Sequence, residues 1–204
     1  PISPVEIGGM SSKHSFILVM QRVEDSFCRN SDRIVSLLPN ANKYLQKHGM
    51  SPKKFSHVAN GVVLEEWKHP GSLPEEHICI FRKCKQENRF ILCFFGSHTK
   101  SYALDYLIDA VKQLPEEKLA VVFIGDGIYK KELEERTEGM ENVFHFLPPI
   151  PKQSIPSLFE YIDAVYVAAV NNNMFRFGIC MNKLFDAMMG GKPILYAVNA
   201  PNNY

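Results

Sequence analysis

The stretch Phe90–Gly127, "FILCFFGSHTKSYALDYLIDAVKQLPEEKLAVVFIGDG", decides the fold. It opens on a run of six apolar residues, "FILCFF", with no polar alternation. A strand that reads this way is covered on both faces, as in a parallel sheet. After the polar loop 96–101, Leu104, Leu107, Ile108 and Val111 recur at i, i+3, i+4 and i+7, the spacing of one helix face. "LAVVFI" (119–124) is a second covered strand, and "GDG" at 125–127 a tight turn into the polar helix "YKKELEERTE". Strand, helix, strand, helix in this order predicts an α/β fold built on an open parallel sheet.

The same rhythm continues toward the C-terminus. "VFHFL" (143–147), "AVYVAA" (164–169) and "PILYA" (193–197) read as further strands. Ser154 to Tyr161 reads as a short helix capped by Ser154. Toward the N-terminus, residues 14–29 are predicted helical from the spacing of Phe16, Met20, Val23 and Phe27. "RIVSLL" (33–38) and "FSHVA" (55–59) read as strands, with a short helix between Pro39 and Lys47. Residues 65–89 carry Pro70, Gly71, Pro74 and many charges, and read as a linker.

Composition narrows the function classes. The chain has 204 residues, 46% hydrophobic and 22% charged, which is ordinary globular content for one large domain or two small ones. A formal net charge of +1 argues against a dedicated nucleic-acid binder. Five cysteines without CxxC spacing read as free thiols in a reducing compartment. No HExxH, GxSxG, P-loop or GxGxxG pattern is present, so zinc-protease, serine-hydrolase and dinucleotide-dehydrogenase chemistry is disfavoured. No DxD-like acidic pair follows a strand, so no metal-bound diphosphate is expected. The pairs Glu116-Glu117 and Glu134-Glu135 read as solvated.

In open parallel sheets, ligands bind at the carboxyl ends of the strands. The loops that follow the strands are therefore the candidates. The segment 177–195, "FGICMNKLFDAMMGGKPIL", places Asn182 as a helix N-cap and Lys183 in the first helical turn. A cation at the positive end of a helix dipole is unfavourable by up to roughly 1 kcal/mol. A phosphate held by the same helix end and by the turn at Gly178 reverses that sign. A solvated surface lysine accounts for the residue equally well. The loop "GSHTKS" offers Gly96, Ser97 and His98 to a second phosphate, or is simply polar surface. "LPPIP" (147–151) has three prolines in four positions and forms either a wall for a flat base or a rigid turn. His57 and His145 lie inside strands and read as packing residues.

These segments resemble a known family. "FIGDGIYKKELEE", "NVFHFLPPIPKQSIPSLFEYIDAVYV" and "FGICMNKLFDAMMGGKPIL" are similar, in order and spacing, to the C-terminal domain of retaining family 4 glycosyltransferases of GT-B fold. "RNSDRIVSLLPNANKYLQKHGMSPKKFSHVANGV" resembles the end of that fold's N-terminal domain. The likeness covers about residues 20–200. The family's Glu-x7-Glu signature is absent, with Phe175 and Lys183 at the matching positions, and the first-loop Lys-Gly is missing too. The "GSH" loop and "NKLFD" look instead like a branch acting on amino-deoxy sugars of bacterial surface polysaccharides.

The resemblance implies Rossmann-like parallel sheets truncated at both ends. Residues 1–75 would be the second half of the acceptor domain and 76–204 most of the donor domain. It implies sugar transfer with retention from a nucleotide diphosphate donor, UDP-linked by expectation, to a glycan or polyprenyl-linked acceptor. Gly96, Ser97, His98, Gly178, Asn182 and Lys183 would meet the donor phosphates, and Pro149, Ile150 and Asp186 the base and ribose. The implied enzyme needs no cofactor or metal and binds no nucleic acid. It works in the cytoplasm, at the inner face of the membrane if peripherally attached. This chain alone is expected to be inactive. A GT-B-like nucleotide-sugar epimerase and a non-catalytic nucleotide-sugar-binding fragment are the alternatives.

Overall fold

The computed structural model describes residues 2–6, 8–114 and 118–201, so the Glu116-Glu117 pair lies outside the described residues. Contacts divide the chain into two compact units. The first joins Pro1–Asn60 to Asn171–Met181 and Asn199–Tyr204, and the second joins Gly61–Val170 to Asn182–Val198.

In the first unit, α1 (Ile2–Glu6), α2 (Ser15–Asn30), β1 (Ile34–Ser36), α3 (Asn42–Lys47) and β2 (Phe55–His57) follow one another. The strands pair in parallel, Ile34 opposite Phe55 and Ser36 opposite His57. The helix read from Phe16, Met20, Val23 and Phe27 forms, with the His14 Nδ1 accepting from the Phe16 N–H (3.2 Å) at its start. Its buried residues are Ile17 and Cys28 instead, and the apolar stripe faces outward, Phe27 being 67% exposed. Periodicity identifies a helix but not which face is covered. A polar network sits beside α2, where Asp25 Oδ1 lies 2.8 Å from His48 Nδ1 and the Tyr44 hydroxyl donates to Glu24 (2.7 Å).

The second unit begins where a linker is expected, and there the structure differs. Leu64–Lys68 form α4 and Glu75–Gln86 form α5. Pro74 starts α5, Glu75 and Glu76 occupy its first turn, and His77, Phe81 and Cys84 form its buried stripe. Proline and glutamates at this end are favourable. The stripe escapes a hydrophobic count because one of its three members is histidine. The expected division at residue 75 also moves: Trp67 packs against Phe159 (5.5 Å between ring centroids), and the Gly71 N–H donates to the Gln153 carbonyl (2.7 Å).

Next come β3 (Phe90–Phe95), α6 (Leu104–Val111), β4 (Leu119–Ile124), α7 (Lys130–Arg136), β5 (Phe144–Leu147), α8 (Ile155–Leu158), β6 (Ala164–Ala168), α9 (Asn182–Met189) and β7 (Ile194–Ala197). The five strands form one parallel sheet in the order β5-β4-β3-β6-β7. Leu92 and Phe94 join Val121, Phe123, Leu104, Ile108 and Leu133 in one core. The alternate residues Ile91, Cys93 and Phe95 are also buried, so the sheet is covered on both faces. Ser154 does not cap α8; its hydroxyl donates to the Ser72 carbonyl (2.8 Å), and one turn of 3-10 helix over Lys152–Ser154 precedes the helix. Cys28, Cys84 and Cys93 are buried free thiols, while Cys79 is exposed. Among the described residues no helix is long and apolar enough to cross a membrane.

The start of the sheet is pinned by Asp163, whose carboxylate accepts from the Ile91 N–H (2.7 Å) while its own N–H donates to the Ile91 carbonyl (2.9 Å). Asp163→Ala leaves the Ile91 donor unpaired and is expected to cost about 1–3 kcal/mol, read as a lower urea midpoint at unchanged slope.

Candidate functional site

The strand order reverses between β3 and β6, since the chain runs outward from β3 through β4 to β5 and returns beside β3 as β6. Loops leaving such a point diverge and open a crevice at the carboxyl ends. A cavity of about 310 Å³ lies at the ends of β3, β4 and β5. Gly96 and Ser97 line it after β3, Gly125 and Asp126 after β4, and Pro149 and Ile150 after β5. The Gly96 N–H donates to the Ile124 carbonyl (2.9 Å) and the Gly125 N–H to the Leu147 carbonyl (3.0 Å), which carries the sheet ladder into the turns. Four of the residues expected at the site, Gly96, Ser97, Pro149 and Ile150, are thus brought to one cavity.

Lys183 stands on the first turn of α9, as expected, but its ammonium is covered. Nζ lies 3.6 Å from the centroid of the Tyr102 ring and 3.9 Å from that of Phe94. It has no hydrogen-bond partner among the described residues. A Cβ added to Gly96 would meet it at 3.1 Å, so the glycine leaves room for the ammonium against the cleft turn. Burial pulls the lysine down to a pKa of about 7. The two rings supply cation–π attraction.

His98 faces the other way. Its backbone N–H donates to the Asp126 carbonyl (2.8 Å), and its ring is fully buried among Phe94, Phe123 and Phe146. Neither ring nitrogen has a hydrogen-bond partner among the described residues. Burial, aided by the charge of Lys130, lowers its pKa to about 4 and keeps the ring neutral at physiological pH. The imidazole therefore braces the turn from below, and the backbone of the loop reaches the cavity.

Asn182 is the first residue of α9, and Asp186 lies one turn on. Burial raises the Asp186 carboxyl, while the charge of Lys152 opposes the shift. Gly178 belongs to the first unit, where its N–H donates to the Phe175 carbonyl (2.9 Å) at the end of the 3-10 segment Asn173–Phe177. Sequence reasoning missed Tyr102 and Phe94 as the cage of Lys183, because nothing local links them to a residue on α9. Among the described residues no cluster of three or more His, Cys, Asp or Glu side chains is spaced to hold a metal ion.

Comparison with known proteins identifies the family and the fold. The model of the family described as glycosyl transferases group 1 matches residues 89–201. No curated protein matches the chain. Among solved structures, Anabaena Alr3699/HepE in complex with UDP superposes with a TM-score of 0.69 at 19% identity, covering 95% of this chain and 57% of that one. The same protein in complex with UDP-glucose gives 0.68 at 20% identity, covering 95% and 56%. WaaG, a glycosyltransferase involved in lipopolysaccharide biosynthesis, gives 0.66 at 19%, covering 91% and 50%. The chain thus spans about half the length of these structures, and its parallel α/β architecture is that of GT-B glycosyltransferases. The chain belongs to the glycosyl transferases group 1 family.

Proposed function

We propose that this chain carries the donor-binding part of a glycosyltransferase that moves a sugar from a UDP-linked donor, with retention at the anomeric carbon, to a glycan or polyprenyl-linked acceptor of a cell-surface polysaccharide. The carrying observation is the cavity of about 310 Å³ at the ends of β3–β5, lined by the turns at Gly96–Ser97 and Gly125–Asp126 and by Pro149 and Ile150. Its size falls at the lower end of small-molecule sites. The flat base lies against Pro149 and Ile150, and the diphosphate over the turns at Gly96 and Ser97. The start of α9, with Asn182 and Lys183, faces the phosphates. Asp186 is the candidate for a ribose or sugar hydroxyl. That HepE is described in complex with UDP and UDP-glucose supports uridine as the base.

In this reading the departing diphosphate gains negative charge as the sugar bond breaks. Donors aimed at that charge, backbone N–H groups and the Lys183 ammonium, lower the barrier. Lys183 leaves its aromatic cage to do so, and the cost of its burial favours the move.

The first unit supports assigning the acceptor side to a larger domain. Two parallel strands are too few to bury a sheet on both faces, and α2 presents Phe16, Val23 and Phe27 to the outside. The expected result is that the purified chain binds UDP-glucose with micromolar to millimolar affinity by calorimetry and shows no transfer to a lipid-linked acceptor. Absence of any UDP or UDP-glucose binding would overturn the donor-site reading. Turnover by the chain would overturn its dependence on a larger acceptor domain.

A further inference from the structure

The wall of the cavity is made of a segment with few means of holding itself. Pro148, Pro149 and Pro151 have no N–H, so this stretch is fixed by hydrogen bonds only through its carbonyls and the single amide of Ile150. The donor to the first of those carbonyls is a side chain from α5. His77 Nε2 lies 2.9 Å from the Pro148 oxygen, and the imidazole is fully buried. A carbonyl only accepts, so Nε2 carries a proton and donates it. Nδ1 has no hydrogen-bond partner among the described residues, and the nearest carboxylate is the largely exposed Glu76 at 3.9 Å.

His77 is the end of a longer clamp. The Gly71 N–H donates to the Gln153 carbonyl (2.7 Å), the Ser154 hydroxyl to the Ser72 carbonyl (2.8 Å) and the Ser157 hydroxyl to the Gly71 carbonyl (2.8 Å). Segment 71–77 therefore grips the wall on both sides of Pro149 and Ile150. The serine bonds tie the segment beyond the wall, around α8. The His77 bond is the one made to the wall itself, next to the residues that line the cavity. Burying a histidine with one ring nitrogen unpartnered costs stability, and an apolar side chain would fill the space between α5 and the wall without that cost. The imidazole's contribution is a fixed hydrogen bond at one carbonyl.

We propose that His77 is a positioning residue for base selection: by holding the Pro148 carbonyl it sets the gap between the Pro149–Ile150 wall and the Gly125–Asp126 turn, which lines the same cavity, and so the fit of a pyrimidine rather than a purine ring. This rests on the donor-site reading above. A wall released from α5 swings away from the turn, which weakens a small base that needs close contact on both faces more than a large one that fills a wider gap.

The test compares UDP and ADP binding by calorimetry to the intact chain carrying His77, His77→Leu or His77→Gln, with thermal unfolding measured in parallel. Glutamine places an amide N–H near the position of Nε2; leucine has no donor. His77→Leu is expected to weaken UDP about tenfold and ADP less than threefold. His77→Gln is expected to restore the wild-type ratio of the two affinities. A UDP-to-ADP ratio unchanged in folded His77→Leu, or lost equally in His77→Gln, overturns the proposal. If His77→Leu does not fold, His77→Asn replaces it, since its shorter amide does not reach the Nε2 position, and the same ratio is read. If the wild-type chain binds neither nucleotide, the donor-site reading falls and takes this inference with it.

Discussion

Gly125→Ala is expected to cost the second unit about 3–5 kcal/mol and to abolish UDP binding, because two independent penalties fall on one methyl group. The residue has a φ of +143°, which L side chains rarely adopt, and its added Cβ would fall on the Gly96 carbonyl oxygen. That obstacle is backbone, so no rotamer change relieves it. Gly96 is itself tied to β4 through its N–H bond to Ile124 (2.9 Å), and Gly125 to β5 through its bond to Leu147 (3.0 Å). The methyl group fits only if the two turns that line the cavity part. Gly139→Ala is the control. It also has a positive φ, +80°, but nothing lies within 4 Å of its added Cβ, so only backbone strain of about 1 kcal/mol is expected. Urea unfolding of both variants decides the matter. If Gly125→Ala costs no more than Gly139→Ala, the close approach of the two turns is not what demands glycine there.

That lining was half legible in the sequence. β3 and β4 are uninterrupted apolar runs, which only a sheet covered on both faces requires, and they form over the residues expected. Gly96, Ser97, Pro149 and Ile150 follow strands directly, so strand prediction alone carries them to the carboxyl edge. His98 shows where local reasoning stops. A polar loop with a histidine invites a ligand, yet the pairing of its N–H with Asp126 continues the ladder beyond Gly96. Its parity with Leu92 and Phe94 then turns the ring toward the core. Counting parity past the end of the strand would have found this. Helix α5 was hidden for another reason: its inward stripe is His77, Phe81 and Cys84, and only one of these is a large hydrocarbon. The start signal of Pro74 followed by Glu75 and Glu76 was present. The cage of Lys183 was not legible at all, because Phe94 and Tyr102 reach it only through the pairing of β3 with β6 and the placement of α9.

Lys183→Met is expected to make the protein more stable and less able to bind its donor, and the two effects respond to pH in a defined way. The ammonium gains cation–π attraction from Phe94 and Tyr102, of order 2 kcal/mol for a desolvated cation. Burial acts against it, pulling the pKa down from 10.5 to about 7. Among the described residues no carboxylate pairs with the ammonium: His98 on the neighbouring loop is neutral, and the carboxyl of Asp186, on the same helix, is shifted by burial, Lys152 and Glu66 and not by Lys183. The folded pKa lies below the unfolded one, so between about 7 and 10.5 the unfolded chain binds more protons. Stability of the wild type therefore rises with pH across that window, and below it the buried charge costs roughly 3–5 kcal/mol. Methionine fills the same volume without the charge. Urea unfolding at pH 6 should show Lys183→Met more stable than wild type by a few kcal/mol, with the advantage shrinking at pH 9. A variant less stable at pH 6, or an advantage independent of pH, would show that the aromatic cage stabilises the ammonium outright. Binding should move oppositely. A diphosphate restores the charge, so wild-type affinity for UDP-glucose falls by up to about tenfold per pH unit above 7, whereas Lys183→Met binds at least tenfold more weakly at pH 6 and without that slope. Equal affinities in calorimetry at pH 6 would remove Lys183 from the donor site and leave it a packing residue between two rings.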